Sequence, residues 1–216
     1  MKKTLITLTA LCSALLAHDM WIDDSALVHY GHRNIAHSHG DNKIIQGGEM
    51  QYVSCLKDAK IISFDSAKQQ CDALFVQLKP TYYTKTPYGT KKLPKNEVKM
   101  AISSFLSLES IKRIYNYKGV EPFKKGLELT LINNLSEIEV GDKARLLVLF
   151  DAKPKEGVTV ANDDKPIGIS GKDGRVNVRI KQKGLQNLKA SFSIPCDSEK
   201  CDKMIYSTTL NIEVRE

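Results

Sequence analysis

The chain has 216 residues, of which 42% are hydrophobic and 26% charged, a mixture that suits a folded globular chain and excludes a low-hydrophobicity disordered one. Lys and Arg number 32 against 25 Asp and Glu, for a net charge of +7. Lysine is nevertheless spread along the chain and aromatics reach only 7%, so a nucleic-acid interface has little support.

Lys2 and Lys3 open the chain ahead of a mostly apolar run, Thr4 to Leu16, that ends at Leu15-Leu16-Ala17. A basic start, a short apolar stretch and a small last residue form the pattern of a removed signal peptide. The run falls short of the roughly 20 apolar residues that span a bilayer. Residues 1–17 are therefore read as a signal peptide cleaved after Ala17, which makes His18 the first mature residue and takes the charge from +7 to +5 with the loss of Lys2 and Lys3. Lipidation at Cys12 is the alternative, but Leu11 precedes it where a small residue is wanted. No later stretch is apolar enough to cross a membrane, so the product is expected to be soluble outside the inner membrane.

All five histidines fall between Ala14 and Asp41, namely His18, His29, His32, His37 and His39. Isolated core or surface histidines account for one or two such positions, not for the set. Imidazole is the commonest neutral metal ligand, and a borderline divalent ion wants about three or four nitrogens converging on one point. A free amine at His18 has a pKa near 8, so a metal displaces its proton cheaply, and with Nδ1 of the same residue it closes a chelate ring. Two further imidazoles complete the planar or tetragonal set favoured by Ni(II) and Cu(II). His37 and His39 share a face in an extended segment and rank next, followed by His32 and then His29, each with an even reading as a bystander. Asp19, Asp23, Asp24 and Asp41 serve either to orient imidazole N–H groups or to cap turns. Met20 and Trp21 are expected to pack the first strand.

Further along, Glu49 to Cys55, Lys60 to Phe64 and Ala73 to Leu78 read as strands. Lys79 to Lys95, with Pro80, Pro87, Gly89 and Pro94, reads as irregular. Asn96 is placed as the cap of a helix running to about Tyr115, in one or two pieces, with Val98, Ile102, Phe105, Leu106 and Ile111 facing inward. Gly119 to Gly126, containing Pro122, is the expected linker. Beyond it lie short strand-like runs: Leu127 to Ile132, Ala144 to Phe150, Gly157 to Val160, Arg175 to Ile180, Leu188 to Ile194 and Ile205 to Val214. Val176-Asn177-Val178-Arg179-Ile180 alternates with period two, and turn signals such as Lys172-Asp173-Gly174 separate the runs. The expected fold is mainly all-β with minor helix in the N-terminal region. It divides into an N-terminal metal-binding β domain, 18–123, and a C-terminal β-sandwich of immunoglobulin or transthyretin type, 124–216.

With Cys12 removed, Cys55, Cys71, Cys196 and Cys201 remain, an even number that suggests disulfides in an exported chain. Pairing of sequence neighbours, Cys55–Cys71 and Cys196–Cys201, is the simplest of the three arrangements; thiolate metal ligation fits no familiar spacing.

The opening His18-Asp19-Met20-Trp21-Ile22-Asp23 after a signal resembles the periplasmic accessory proteins of nickel/cobalt uptake by energy-coupling-factor transporters, long described only as a domain of unknown function. GLELTLINNLSEIEVGDKARLLVLFDAKPKEGVTV is similar to that family's Gly-Asp turn, Leu-Phe-x-x-Lys-Pro and Gly-x-x-Val stretches. KPIGISGKDGRVNVRI is similar to its following hairpin. The resemblance implies a periplasmic protein that delivers Ni(II), or Co(II), to membrane components of an uptake transporter, with His18, His37 and His39 carried over as ligands. Met20 replaces the family's usual aromatic, and His37-Ser38-His39-Gly40-Asp41 departs from its Gly-His-aromatic-Pro stretch.

Two other classes use a similar ligand set. A copper carrier or a copper-dependent oxidase would hold Cu(II) in an N-terminal histidine brace, the latter with Tyr82, Tyr83 and Tyr88 as a docking surface. Copper binds such ligands more tightly than nickel. Hydrolytic catalysis lacks a nucleophile elbow, a phosphate-cradling loop and any histidine outside the cluster, so a non-enzyme is expected.

Overall fold

The computed structural model describes residues 19–33, 42–64, 70–163 and 165–215. The first half contributes β1 (Asp19–Ile22), β2 (Val28–Gly31), β3 (Lys43–Ile44), β4 (Met50–Lys57), β5 (Lys60–Ser63), β6 (Ala73–Leu78), β7 (Thr81–Thr86), β8 (Gly89–Lys91) and β9 (Ser103–Ile114). The second contributes β10 (Leu127–Leu131), β11 (Lys143–Phe150), β12 (Lys153–Pro154), β13 (Thr159–Asn162), β14 (Lys165–Ile169), β15 (Arg175–Arg179), β16 (Gly184–Pro195) and β17 (Lys203–Val214). Helical structure among the described residues is confined to single 3₁₀ turns, and no helix is long and apolar enough to cross a membrane.

The strands stack in three layers. A ten-stranded sheet runs in the order β14-β13-β16-β17-β9-β6-β4-β5, with β7 on β9 and β8 on β7. On one face lies a four-stranded sheet in which β11 pairs with β10, β12 and β15; on the other lies the small sheet β1-β2-β3. Because side chains alternate across a strand, Ala73 and Phe75 of β6 enter the larger core with Leu129, Leu146 and Val178, while Leu74 and Val76 enter the smaller one with Met20, Ile22 and Val28. Each fully buried aliphatic or aromatic side chain contributes about 1.5–3 kcal/mol, so both layers have a large apolar incentive to cover the central sheet. The alternation in β15 is as expected, with Val176 and Val178 in and Arg175, Asn177 and Arg179 out.

Two expectations require correction. The helix placed over 96–115 is instead one 3₁₀ turn, Lys95–Glu97, followed by the 12-residue strand β9. Asn96 caps no helix; its side chain reaches Glu199. β9 is central, parallel to β17 on one edge and antiparallel to β6 and β7 on the other. Covered on both faces, it buries residues of both parities from Ser110 to Ile114, and its apolar positions imitate a helical spacing. Second, the segment expected to be irregular is the β7–β8 hairpin, turned at Pro87-Tyr88 and held by the Thr86 hydroxyl, which donates to the Gly89 carbonyl at 2.9 Å and accepts from the Tyr88 amide at 3.2 Å. The segment 119–126, the expected linker, packs onto the core at two of its positions. Phe123 is buried and stacks on Phe75 at 5.1 Å. A Cβ on Gly119 would lie 2.3 Å from the Asp72 carbonyl oxygen, so only glycine allows this approach.

Position 123/124 accordingly lies beneath a sheet that takes strands from both sides of it. The parallel β9–β17 ladder, from Phe105 opposite Lys203 to Ile114 opposite Ile212, joins the two halves. Disulfides Cys55–Cys71 and Cys196–Cys201 form with Cα separations of 5.4 and 5.7 Å, as expected of a protein from an oxidising compartment.

Candidate metal centre

The region that carried the histidine signal begins with the small sheet. β1 pairs with β2 so that Asp19 faces Gly31, Met20 faces Tyr30 and Trp21 faces His29. Met20 and Ile22 point into the smaller core, which leaves Trp21 and His29 on the outer face, their rings stacked 5.1 Å apart and 8° from parallel. Asp23 closes the turn that follows. Its Oδ1 accepts from the amides of Ser25 and Leu27, both at 2.9 Å, and its Oδ2 accepts from His29 Nε2 at 2.8 Å. Burial pushes the Asp23 carboxyl up, but the bonds from His29 and the Leu27 amide outweigh it and leave the group below the usual carboxylate range. An ionised Asp23 fixes the proton on Nε2, so a neutral His29 keeps its lone pair on Nδ1.

The start of β1 is fastened to the far end of the chain by buried polar groups. Asp19 is 5% exposed; it forms an ion pair with Lys189 and accepts from Asn187 Nδ2 at 3.2 Å. Asn211 donates to Asn187 Oδ1 at 2.7 Å and accepts from the Ile22 amide at 2.9 Å. Arg113 of β9 completes the fastening, donating to the Ile22 carbonyl and to Asp24, each at 2.5 Å. Such a network fixes one position for β1 because any slip would strand several buried donors and acceptors, at about 1–3 kcal/mol each.

The neighbouring edge is fastened as well. Gly31 has φ +151°, and a Cβ there would lie 2.0 Å from Asn42 Oδ1. Asn42 fills that space and accepts from the His32 amide at 2.7 Å. Arg33 donates to the Leu185 carbonyl at 2.6 Å and lies 3.5 Å from Asp163 Oδ1.

Of the expected ligands, His18, His37 and His39 lie outside the described residues, as does Asp41. His29 and His32 lie within them, His29 engaged by Trp21 and Asp23 and His32 at the end of β2 beside Gly31. No group of three or more His, Cys, Asp and Glu side chains suited to a metal occurs among the described residues. What the fold does bring together is the set of attachment points. Asp19, one peptide bond from residue 18, faces Gly31; Arg33 and Asn42 flank segment 34–41, with the Asn42 side chain on the His32 amide. Consecutive Cα atoms are 3.8 Å apart, so residues 18 and 32 are tethered to directly opposed positions.

Asp19, Asp23 and Asp24 each have structural work, holding Lys189, the β1–β2 turn with His29, and Arg113 respectively. Sequence reading missed Asn187, Lys189 and Asn211, the residues that hold the first strand. Polar residues at 187, 189 and 211 interleaved with Leu188, Ala190, Leu210 and Ile212 look like the wet face of an ordinary strand; only the covering sheet makes them interior. Comparison of this chain with protein-family models, with curated proteins and with solved structures finds no match.

Proposed function

We propose that this protein is an exported metal carrier without catalytic activity, which captures Ni(II), or Co(II), through the N-terminal histidines and passes it to membrane components of an uptake transporter. The supporting observation is the convergence at one end of the small sheet. The attachment point of residue 18, His32, and both ends of the segment bearing His37 and His39 gather around Gly31 and Asn42. In this reading His18 supplies its free amine and Nδ1, His37 and His39 complete the set, and His32 stands next in line. His29, held by Asp23, presents Nδ1 from the outer face and serves as an auxiliary donor. Asp19 and Lys189 fasten the strand that carries the chelating residue, so the site is set on a rigid base rather than a floating terminus.

The test is calorimetric titration with nickel of two purified forms, one beginning at His18 and one carrying a single additional alanine ahead of it. Tight one-to-one binding by the first and much weaker binding by the second is the expected result. Equal affinity removes the amine from the ligand set. Absence of nickel binding by both forms overturns the uptake reading, and tight copper binding in its place would favour a histidine-brace copper protein.

A further inference from the structure

Between the small sheet and the strands β7 and β9 lies a cleft of about 300 Å³, at the small end of the range for ligand sites, about 300–1,000 Å³. It is lined by Glu109 and the buried Ser107 of β9, by Tyr30 of β2 and Tyr83 of β7, by the paired Lys43 and Glu49, and by the exposed Lys79 and Lys92. The Ser107 hydroxyl donates to Glu109 Oε1 at 2.7 Å. Tyr83 is fixed by stacking on Phe105 at 5.2 Å. Burial, and after it the Glu109 charge, pushes up both the Tyr30 and the Tyr83 hydroxyls. Burial also raises the Glu109 carboxyl itself, against the opposing pull of Ser107, Lys43 and Lys92. Lys43 is engaged by Glu49 at 2.5 Å, whereas Lys79 and Lys92 are exposed and form no ion pair among the described residues.

With Lys43 and Glu49 neutralising one another, a carboxylate in a cleft that two aromatic rings also line attracts a cation and repels an anion. Two uncommitted ammonium groups at the mouth do the reverse. The arrangement is therefore matched neither to a simple amine nor to a simple acid but to a small molecule that carries both charges. We propose that this cleft binds a small zwitterion of the amino-acid class, its ammonium on Glu109 between Tyr30 and Tyr83 and its carboxylate on Lys79 and Lys92. The inference does not depend on the metal reading.

The proposal is tested by calorimetry on the purified protein, without added metal, using a panel of common amino acids with ethylamine and acetate as single-charge probes. At least one amino acid binds one-to-one, and both single-charge probes bind far more weakly. Glu109→Gln weakens that binding about tenfold or more, as expected for loss of a charge-assisted hydrogen bond. The double variant Lys79→Gln/Lys92→Gln weakens it as well, and because both side chains are exposed it serves should the Glu109 variant fail to fold. Absence of binding by every amino acid, affinity unchanged in the variants, or ethylamine binding as tightly as any zwitterion overturns the proposal.

Discussion

Glu128→Gln removes the counter-charge of a buried ammonium. Lys112 on β9 and Glu128 on β10 are 0% and 1% exposed at the side chain and lie 2.9 Å apart. Lys112 Nζ also donates to the Glu121 carbonyl at 2.8 Å, to Thr130 Oγ1 at 3.1 Å and to the Val120 carbonyl at 3.4 Å, and it sits 5.2 Å from the Phe123 ring centre. Burial pulls the ammonium below its usual range, and Glu128 is the principal group holding it up. The other carboxylate oxygen accepts from the Phe123 amide at 2.9 Å. A glutamine has only one oxygen for these two donors, so either the ammonium or the amide is left facing an NH₂ group. Breaking a buried pair costs about 3–5 kcal/mol. The surviving neutral acceptors on Lys112 place this variant at the lower end, about 3 kcal/mol, out of a typical total of about 5–15 kcal/mol. With a urea slope of about 2 kcal/mol/M, the unfolding midpoint followed by circular dichroism falls by about 1.5 M. A midpoint within about 0.3 M of the parent would refute the reasoning, because the pair would then be contributing no more than an exposed one. The double variant Lys112→Met/Glu128→Leu recovers part of the loss but not all, since the Phe123 amide remains buried without its partner.

Gly119→Ala drives a Cβ against the Asp72 carbonyl; a loss of about 2 kcal/mol and a lower thermal midpoint are expected, and an unchanged midpoint would mean that the segment can shift freely. Opening Cys55–Cys71, which closes a 16-residue separation, costs about 3 kcal/mol, whereas Cys196–Cys201, with a separation of 5, costs about 2 kcal/mol; denaturation of the two double-serine variants checks that order. Asp202 is held below its ordinary value of 3.8 chiefly by its hydrogen bond from Lys95, then by the Ser104 amide. Its contribution is thus present above about pH 4 and fades as pH falls through the lowered value. Lys95→Gln should cost about 0.5 kcal/mol at pH 7, the discount reflecting exposure of both partners, and progressively less as the pH falls below about 4; a difference that does not shrink on acidification would contradict an ionic origin.

The parts of the fold legible in sequence are those whose surroundings are one-sided. β15 alternates because one face meets the four-stranded sheet's core and the other meets water, and Ala73–Leu78 reads as a strand from its apolar run alone. β9 is illegible for the opposite reason. Both faces are covered, and its Lys112 and Arg113 announce exposure while pointing into the two interiors, rescued by Glu128 on one side and by Asp24 and the Ile22 carbonyl on the other. Nothing local to residues 103–114 encodes those partners. The histidine cluster was visible because it is crowded in sequence. The device that fastens its first strand was not, because Asn187 and Asn211 meet that strand only across 168 and 189 positions.

Those separations carry a temporal consequence. In a chain made from its N-terminus first, β1 gains its contacts with Asn187, Lys189 and Asn211 only after β16 and β17 have been made. Closing loops of this length is an entropic cost that local turns do not carry, so this part of the fastening comes late although the edge it holds is synthesised first. Until residue 211 is available, the opening strand is held by its pairing with β2, by Arg113 and by its apolar side, without the buried contacts to Asn187, Lys189 and Asn211. Residues 187–211 thus complete the placing of a strand that begins at residue 19.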